Sequence, residues 1–166
     1  MKIKNKKTEY KPYKKLNDKN VNIMFDYQPV KKMVNGEEKE TPLAIWEEHR
    51  FNHIPTEEEI QKVVLDYYNK KIDNEILSGL VWKGMNIWLS SENQFNYKAA
   101  YDLAVQTNGA TLPMVFKFGD DKNVVYYEFK TVEELSDFYM ASINHIQTTL
   151  QKGWDVKDNI NWPIFQ

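Results

Sequence analysis

The sequence contains no cysteine. That excludes a disulfide framework, thiolate catalysis, iron–sulfur ligation and every cysteine-containing zinc site. It fits a protein made in a reducing cytoplasm. Glycine is sparse, and Gly84, Gly109 and Gly119 stand singly, so no glycine-rich loop is available to cradle a phosphate. No apolar run approaches the ~20 residues of a membrane span. The lysines near the N-terminus have no apolar core behind them, so no secretory signal is predicted. Neither a nucleophile elbow nor the H-E-x-x-H spacing of a zinc protease occurs.

What the chain does have is charge and aromatic rings. At 166 residues it is long enough for one domain with a sizeable core, and 28% charged residues keep its surface solvated. The net charge of −2 hides an asymmetry: residues 1–20 hold eight lysines against Glu9 and Asp18. An acidic body with a basic arm does not suggest a nucleic-acid surface. Residues 1–25 keep no hydrophobic period and read as a basic, flexible, extended arm. The five Trp and ten Tyr are many for one core of this size. They fit either an aromatic-rich interior or a protein held between neighbours.

Four segments follow from the pattern: the arm (1–25), an N-terminal hairpin and connector (26–54), an α+β core (55–153) and an aromatic tail (154–166). In the second, a strand from residue 27 to 34 turns at Asn35-Gly36, the best two-residue hairpin turn of the chain, into a charged and exposed return run. In the core, Thr56 and Glu59 form a capping box for a helix over 57–77. That helix carries Ile60, Val63, Val64, Tyr67, Tyr68, Ile72 and Ile76 in an amphipathic stripe. A short hairpin turned at Lys83-Gly84 comes next. A helix over 92–107 follows, entered through a Ser91–Gln94 box, with Phe95, Ala99, Leu103 and Ala104 toward the core. A second hairpin turns through residues 119–123. The last helix starts at a Thr131–Glu134 box and is expected to end at Gly153. The expected fold is α+β: two β-hairpins forming a small antiparallel sheet packed against about three helices, with the arm extended.

Candidate chemistry is thin. His49 and His53 are four apart and would share a helix face, but no third ligand is apparent and Pro55 disfavours helix just before it. Asp120, Asp121 and Asn123 fail the calcium-loop spacing, and a hairpin turn accounts for them. The three glutamates at 57–59 suit the positive end of a helix dipole better than an acid–base pair. No catalytic, metal or cofactor residue is assigned. The residues expected to meet partners are Lys6, Lys7, Tyr10 and Tyr13 of the arm, and Trp154, Trp162 and Phe165 of the tail.

Residues 76–118 and 126–160 carry a resemblance, through Trp82, Gly84, Ser91, Gln94, Gly109, Thr131 and Glu134. Over about 55–160 the chain resembles a phage-associated domain family of unknown function. That family occurs in tail and tail-fibre-type proteins of phages and prophages of gut bacteria, with crAss-like phages a fitting source. The resemblance brings no catalytic residues. It implies a non-enzymatic virion component, made in the bacterial host cytoplasm, that docks as a tail, neck or ring adaptor subunit to other virion proteins and to copies of itself. Neither nucleic acid nor membrane is expected as a partner. The alternatives it leaves open are a receptor- or glycan-binding module of a tail fibre and a tail-assembly factor.

Overall fold

The computed structural model describes residues 1–120 and 122–166. The fold is α+β, with three α-helices and antiparallel sheets. The chain divides into two compact units, Met1–Tyr67 with Asn159–Gln166, and Tyr68–Asp158. The division falls inside the first helix rather than at residue 54.

The first unit is built on a four-stranded antiparallel sheet. Its strands are β1 (Lys2–Lys6), β2 (Tyr13–Lys15), β3 (Val21–Val34) and β4 (Glu37–Phe51), in the order β1-β4-β3-β2. Residues 1–25 are therefore not a free arm. β1 pairs with β4 from Lys2↔Glu47 to Lys6↔Leu43, and β2 pairs with β3 from Tyr13↔Ile23 to Lys15↔Val21. Both are edge strands, and lysine on an edge blocks further pairing. That is why the composition reads as disorder.

β3 and β4 turn at Asn35 (φ 54°) and Gly36 (φ 83°), as the sequence predicts. Their pairing reaches back to Val21↔Phe51, well beyond the short strand expected over 27–34. Register shifts between Phe25 and Gln28 and between Pro29 and Lys31 bend the ribbon, and Asp26 takes the left-handed conformation at the first. Residues 21–25 are all buried, so both sheet faces are covered there. Met24, Ala44 and Trp46 form a core on one face, closed by Ile3 and by Tyr10 from the 3-10 turn Lys7–Glu9. On the other strand position Phe25 meets Tyr67, ring centroids 5.2 Å apart.

Helix α1 (Glu57–Ser78) begins at the predicted box: the Glu59 N–H donates to Thr56 Oγ1 (3.3 Å) and the Thr56 N–H to Glu59 Oε2 (2.8 Å). The tail returns to this unit. Its 3-10 turn Trp162–Phe165 buries Phe165, which lines a small cavity with Trp162 and with Ile60 of α1.

The second unit holds β5 (Leu80–Trp82), β6 (Met85–Ile87), α2 (Ser91–Gln106), β7 (Met114–Gly119), β8 (Val124–Phe129) and α3 (Val132–Asp158). The two hairpins remain separate two-stranded sheets instead of joining into one. They are united by packing. Trp82, Phe118, Phe129 and Phe138 meet at centroid distances of 5.1–6.4 Å, and Tyr97 lies 4.9 Å from Phe138.

Three helix details differ from expectation. The N-cap of α2 is Ser90, whose side chain accepts from the Asn93 N–H at 3.2 Å, while Gln94 Nε2 donates to the Leu89 carbonyl. The buried face of α2 is Tyr97 and Ala104, with Tyr101 packed beside them; Phe95, Ala99 and Leu103 face outward. Finally, α3 runs through Gly153 to Asp158. A Cβ at Gly153 would sit 2.2 Å from Ile72 Cδ1. The glycine is a contact point between antiparallel helices, not a terminator. The same pairing is held by Lys157 Nζ to Asn69 Oδ1 (2.9 Å) and by the His145 ring to the Glu75 carbonyl (2.9 Å).

Candidate functional site

The densest polar cluster lies in the Tyr68–Asp158 unit. Lys83 Nζ donates to Tyr127 Oη (2.8 Å) and Glu134 Oε1 (2.9 Å), and the Tyr127 hydroxyl donates to the same carboxylate oxygen. The ammonium also stands 4.6 Å from the Trp82 ring, whose indole N–H donates to Asp137 Oδ2 (3.0 Å). Lys83 occupies a turn position with φ 47°, where Asn or Gly would be the undemanding choice. What lysine adds there is its charge.

The electrostatics suit a clamp. Hydrogen bonds to Tyr127 and then Glu134 raise the Lys83 pKa above its ordinary value. Bonds from Tyr127 and then Lys83 hold the Glu134 carboxyl below the usual range. Both groups are thus fixed in their charged forms near neutral pH, whereas a general base or acid needs its pKa close to the working pH. The cluster ties the β5–β6 turn to β8 and to the first turn of α3.

A second feature is a surface groove of about 450 Å³ lined by Trp88, Lys117, Phe118, Gly119 and Asp120. The Trp88 ring is half exposed. Asp120 Oδ1 accepts from the Lys122 and Asn123 N–H groups at 2.8 Å each, and these bonds lower its pKa. The turn reading of this loop covers Asp120, Lys122 and Asn123; Asp121 lies outside the described residues.

The residues expected to meet partners are scattered over both units. Lys6 is exposed on edge strand β1, and Lys7 is ion-paired with Glu40. Tyr10 is half buried, donates to the Met24 carbonyl at 3.1 Å and packs on Tyr27 and Trp46, while burial raises its pKa. Tyr13 sits half buried in β2. Trp154 lies on α3 and is exposed. Trp162 is half buried and Phe165 is interior. Tyr10 and Phe165 are thus engaged within the chain, and Trp154 is the aromatic of the set that faces outward. His49 lies in β4 and His53 beyond it; their rings flank Phe51, and His53 Nε2 lies 3.0 Å from Glu59 Oε1. The two histidines do not share a helix face. Among the described residues no group of three or more His, Asp or Glu is placed to hold a metal ion.

Sequence reasoning missed the clamp because its partners lie 44 and 51 residues apart. The available signal was a lysine where a hairpin turn favours glycine or asparagine.

A family model described as a domain of unknown function (DUF4376) matches residues 59–163, more than half of the chain. The chain belongs to that family. No curated protein and no solved structure matches it. The DUF4376 match takes in the whole Tyr68–Asp158 unit, with its clamp, its groove and the outward face of α2, and leaves out the four-stranded sheet. The family description names no activity.

Proposed function

We propose that the chain is a non-enzymatic structural subunit of a bacteriophage virion, placed in the tail, neck or a ring of adaptors, that works by docking to neighbouring virion proteins and to copies of itself. The assignment to a virion rests on the sequence resemblance. The docking role rests on one observation: large apolar side chains stand outside cores that are already filled. Phe95 is 72% exposed, Tyr126 71% and Met33 66%, and they lie on α2, β8 and β3. Side chains of this kind gain most when a partner removes them from water. The β3–β4 ribbon adds reach, because, among the described residues, 31–34 and 37–40 pair only with each other, with no third strand beside them. An isolated two-stranded ribbon is marginal in water and gains stability from a neighbour.

Quantitative mass spectrometry of purified particles from a culture that produces the phage tests this reading. A fixed copy number relative to the major capsid protein, kept after high-salt washing, is the expected result. A chain found only in the lysate and not in the particles would sink it and favour a tail-assembly factor.

The Trp88 groove favours a second reading, a glycan-binding module of a tail fibre. An exposed indole beside Lys117 and Asp120 offers an apolar face for a sugar ring and polar groups for its hydroxyls. A glycan array, with Trp88→Ala as the control, tests it. Binding abolished by that substitution supports the fibre reading, and no binding by the full chain removes it.

A further inference from the structure

The outward side of α2 carries an apolar stripe that is symmetric about one small residue, with Glu92, Asn96 and Lys98 exposed beside it. Phe95 and Leu103 lie one turn to either side of Ala99, all three exposed. The opposite face, Tyr97 and Ala104, is buried, and Tyr101 stacks on Tyr139 at 4.8 Å. The stripe is therefore not a strip of core left open; the core is already closed without it. The i, i+4, i+8 spacing aligns it along one side of the helix.

We propose that this face is a self-association surface, on which two copies of the chain pack α2 against α2 in antiparallel fashion about a two-fold axis at Ala99. A two-fold contact must be self-complementary, residue i meeting j and j meeting i. Reading α2 outward from Ala99 meets that condition. Phe95 of one copy faces Leu103 of the other, large against large, and the two Ala99 side chains meet on the axis, where small residues let the helices approach closely.

Charge selects the same direction. In the antiparallel arrangement Glu92 lies opposite Gln106, and Asn96 lies opposite Asp102, so no like charges meet. A parallel arrangement would set Glu92 beside Glu92 and Asp102 beside Asp102, which is unfavourable. Lys98 stays on the rim, bonded to Asp102 at 2.5 Å within its own helix.

A single helix face is a small contact, and contacts at the small end of the range belong to weak, transient encounters, so a dimer of about micromolar affinity is expected. The proposal deepens the self-docking part of the proposed function and rests on it, but not on the virion assignment: purified particles test location and solution mass tests self-association.

The experiment is sedimentation velocity on the full chain from ~1 to ~100 µM, the range in which a micromolar dimer dissociates, together with Phe95→Glu and Leu103→Glu. Both sites are exposed, so circular dichroism is expected to show an unchanged fold. The expected result is a dimer at high concentration, with each substitution weakening dimerisation about ten-fold or more. Ala99→Cys gives a single-thiol protein, because the chain has no other cysteine. Mild oxidation is expected to cross-link it to a dimer, while Gln151→Cys on α3 stays monomeric. A wild-type monomer at the highest concentration overturns the proposal. So does a dimer that both glutamate variants leave intact, or equal cross-linking of the two cysteine variants.

Discussion

In the Met1–Tyr67 unit the sheet depends on partners far apart in the chain, such as Lys2 with Glu47, and its long hairpin is closed by two short edge strands from the N-terminus. In the Tyr68–Asp158 unit each sheet is a hairpin of adjacent strands, and what joins the pieces is a cluster of rings around Phe138. The first unit is held by backbone pairing over a thin apolar layer, the second by side-chain volume. Damage should therefore act differently in each. The first is sensitive to loss of a strand, the second to loss of a ring.

Deleting residues 1–15 tests the first half of that contrast and carries the largest expected effect. It removes β1 and β2 and the Ile3 and Tyr10 cover over Trp46 and Met24. At ~1.5–3 kcal/mol per large side chain uncovered, the loss is on the order of 5 kcal/mol. Urea unfolding followed by far-ultraviolet circular dichroism reads it. An unchanged transition would mean that the two N-terminal strands contribute nothing and that residues 1–15 behave as a free arm.

Phe138→Ala is the counterpart in the second unit. The ring is fully buried and contacts Trp82, Tyr97, Phe118 and Phe129. A cavity at such a site costs about 3–5 kcal/mol in thermal or urea unfolding. A loss under about 1 kcal/mol would show that the cluster can collapse around the gap and does not organise the unit. Gly153→Leu should cost less, about 1–3 kcal/mol, by overpacking against Ile72. Combined with Ile72→Ala, the total loss should fall short of the sum of the two single losses. Strict additivity would mean that the helix contact is not where the strain arises.

The clamp joins elements of the second unit by polar contact, and its effect is smaller. Tyr127→Phe removes the hydroxyl shared by Lys83 and Glu134 and is expected to cost about 1 kcal/mol at neutral pH. The pH dependence has a definite sign. The Glu134 carboxyl is lowered in the folded state, so its contribution is present above the unfolded-state value and is lost as pH falls through the folded-state value. The Lys83 ammonium is raised, so its contribution is present below the unfolded-state value and is lost as pH rises through the folded one. The cost of Tyr127→Phe should accordingly shrink toward acid pH. A cost that stays constant into acid would mean the hydroxyl acts by packing alone.

Legibility in the sequence followed the same division. Caps, turns and helix stripes are local signals, and they place α1, the start of α3, both short hairpins and the Asn35-Gly36 turn to within a few residues. The strands of residues 2–15 escaped because β1 finds its apolar partners only near residue 45, β2 is a three-residue strand against residues 21–23, and the side chains of both are mostly the lysines that protect an edge. Gly153 reads as a stop in the sequence because a helix-ending glycine and a close-packing glycine look alike until the neighbour, Ile72, is known. The sequence points to the wrong face of α2 for a related reason. Phe95, Ala99 and Leu103 are as apolar as Tyr97, Tyr101 and Ala104, and periodicity alone does not say which stripe meets the core. The clamp and the Trp88 groove were illegible because each gathers residues from separate elements.

The smallest effect separates two adjacent serines at the start of α2. The Ser90 side chain accepts from the Asn93 N–H, one of the donors that the first turn of a helix leaves without a partner inside the helix. Ser91 is the first residue within the helix and is exposed. Ser90→Ala should therefore cost about 1 kcal/mol, and Ser91→Ala should stay within ~0.5 kcal/mol. Alanine at Ser91 even carries the better helix propensity, which pushes that variant toward neutral or slightly stabilising. If the two losses were reversed, the helix would begin one residue later, at the Ser91–Gln94 box that spacing alone suggests. Every residue of α2 would then be offset by one from its cap. The contrast between the units would sharpen in that case, since the local signals of the second unit would then fix its helix start by spacing alone.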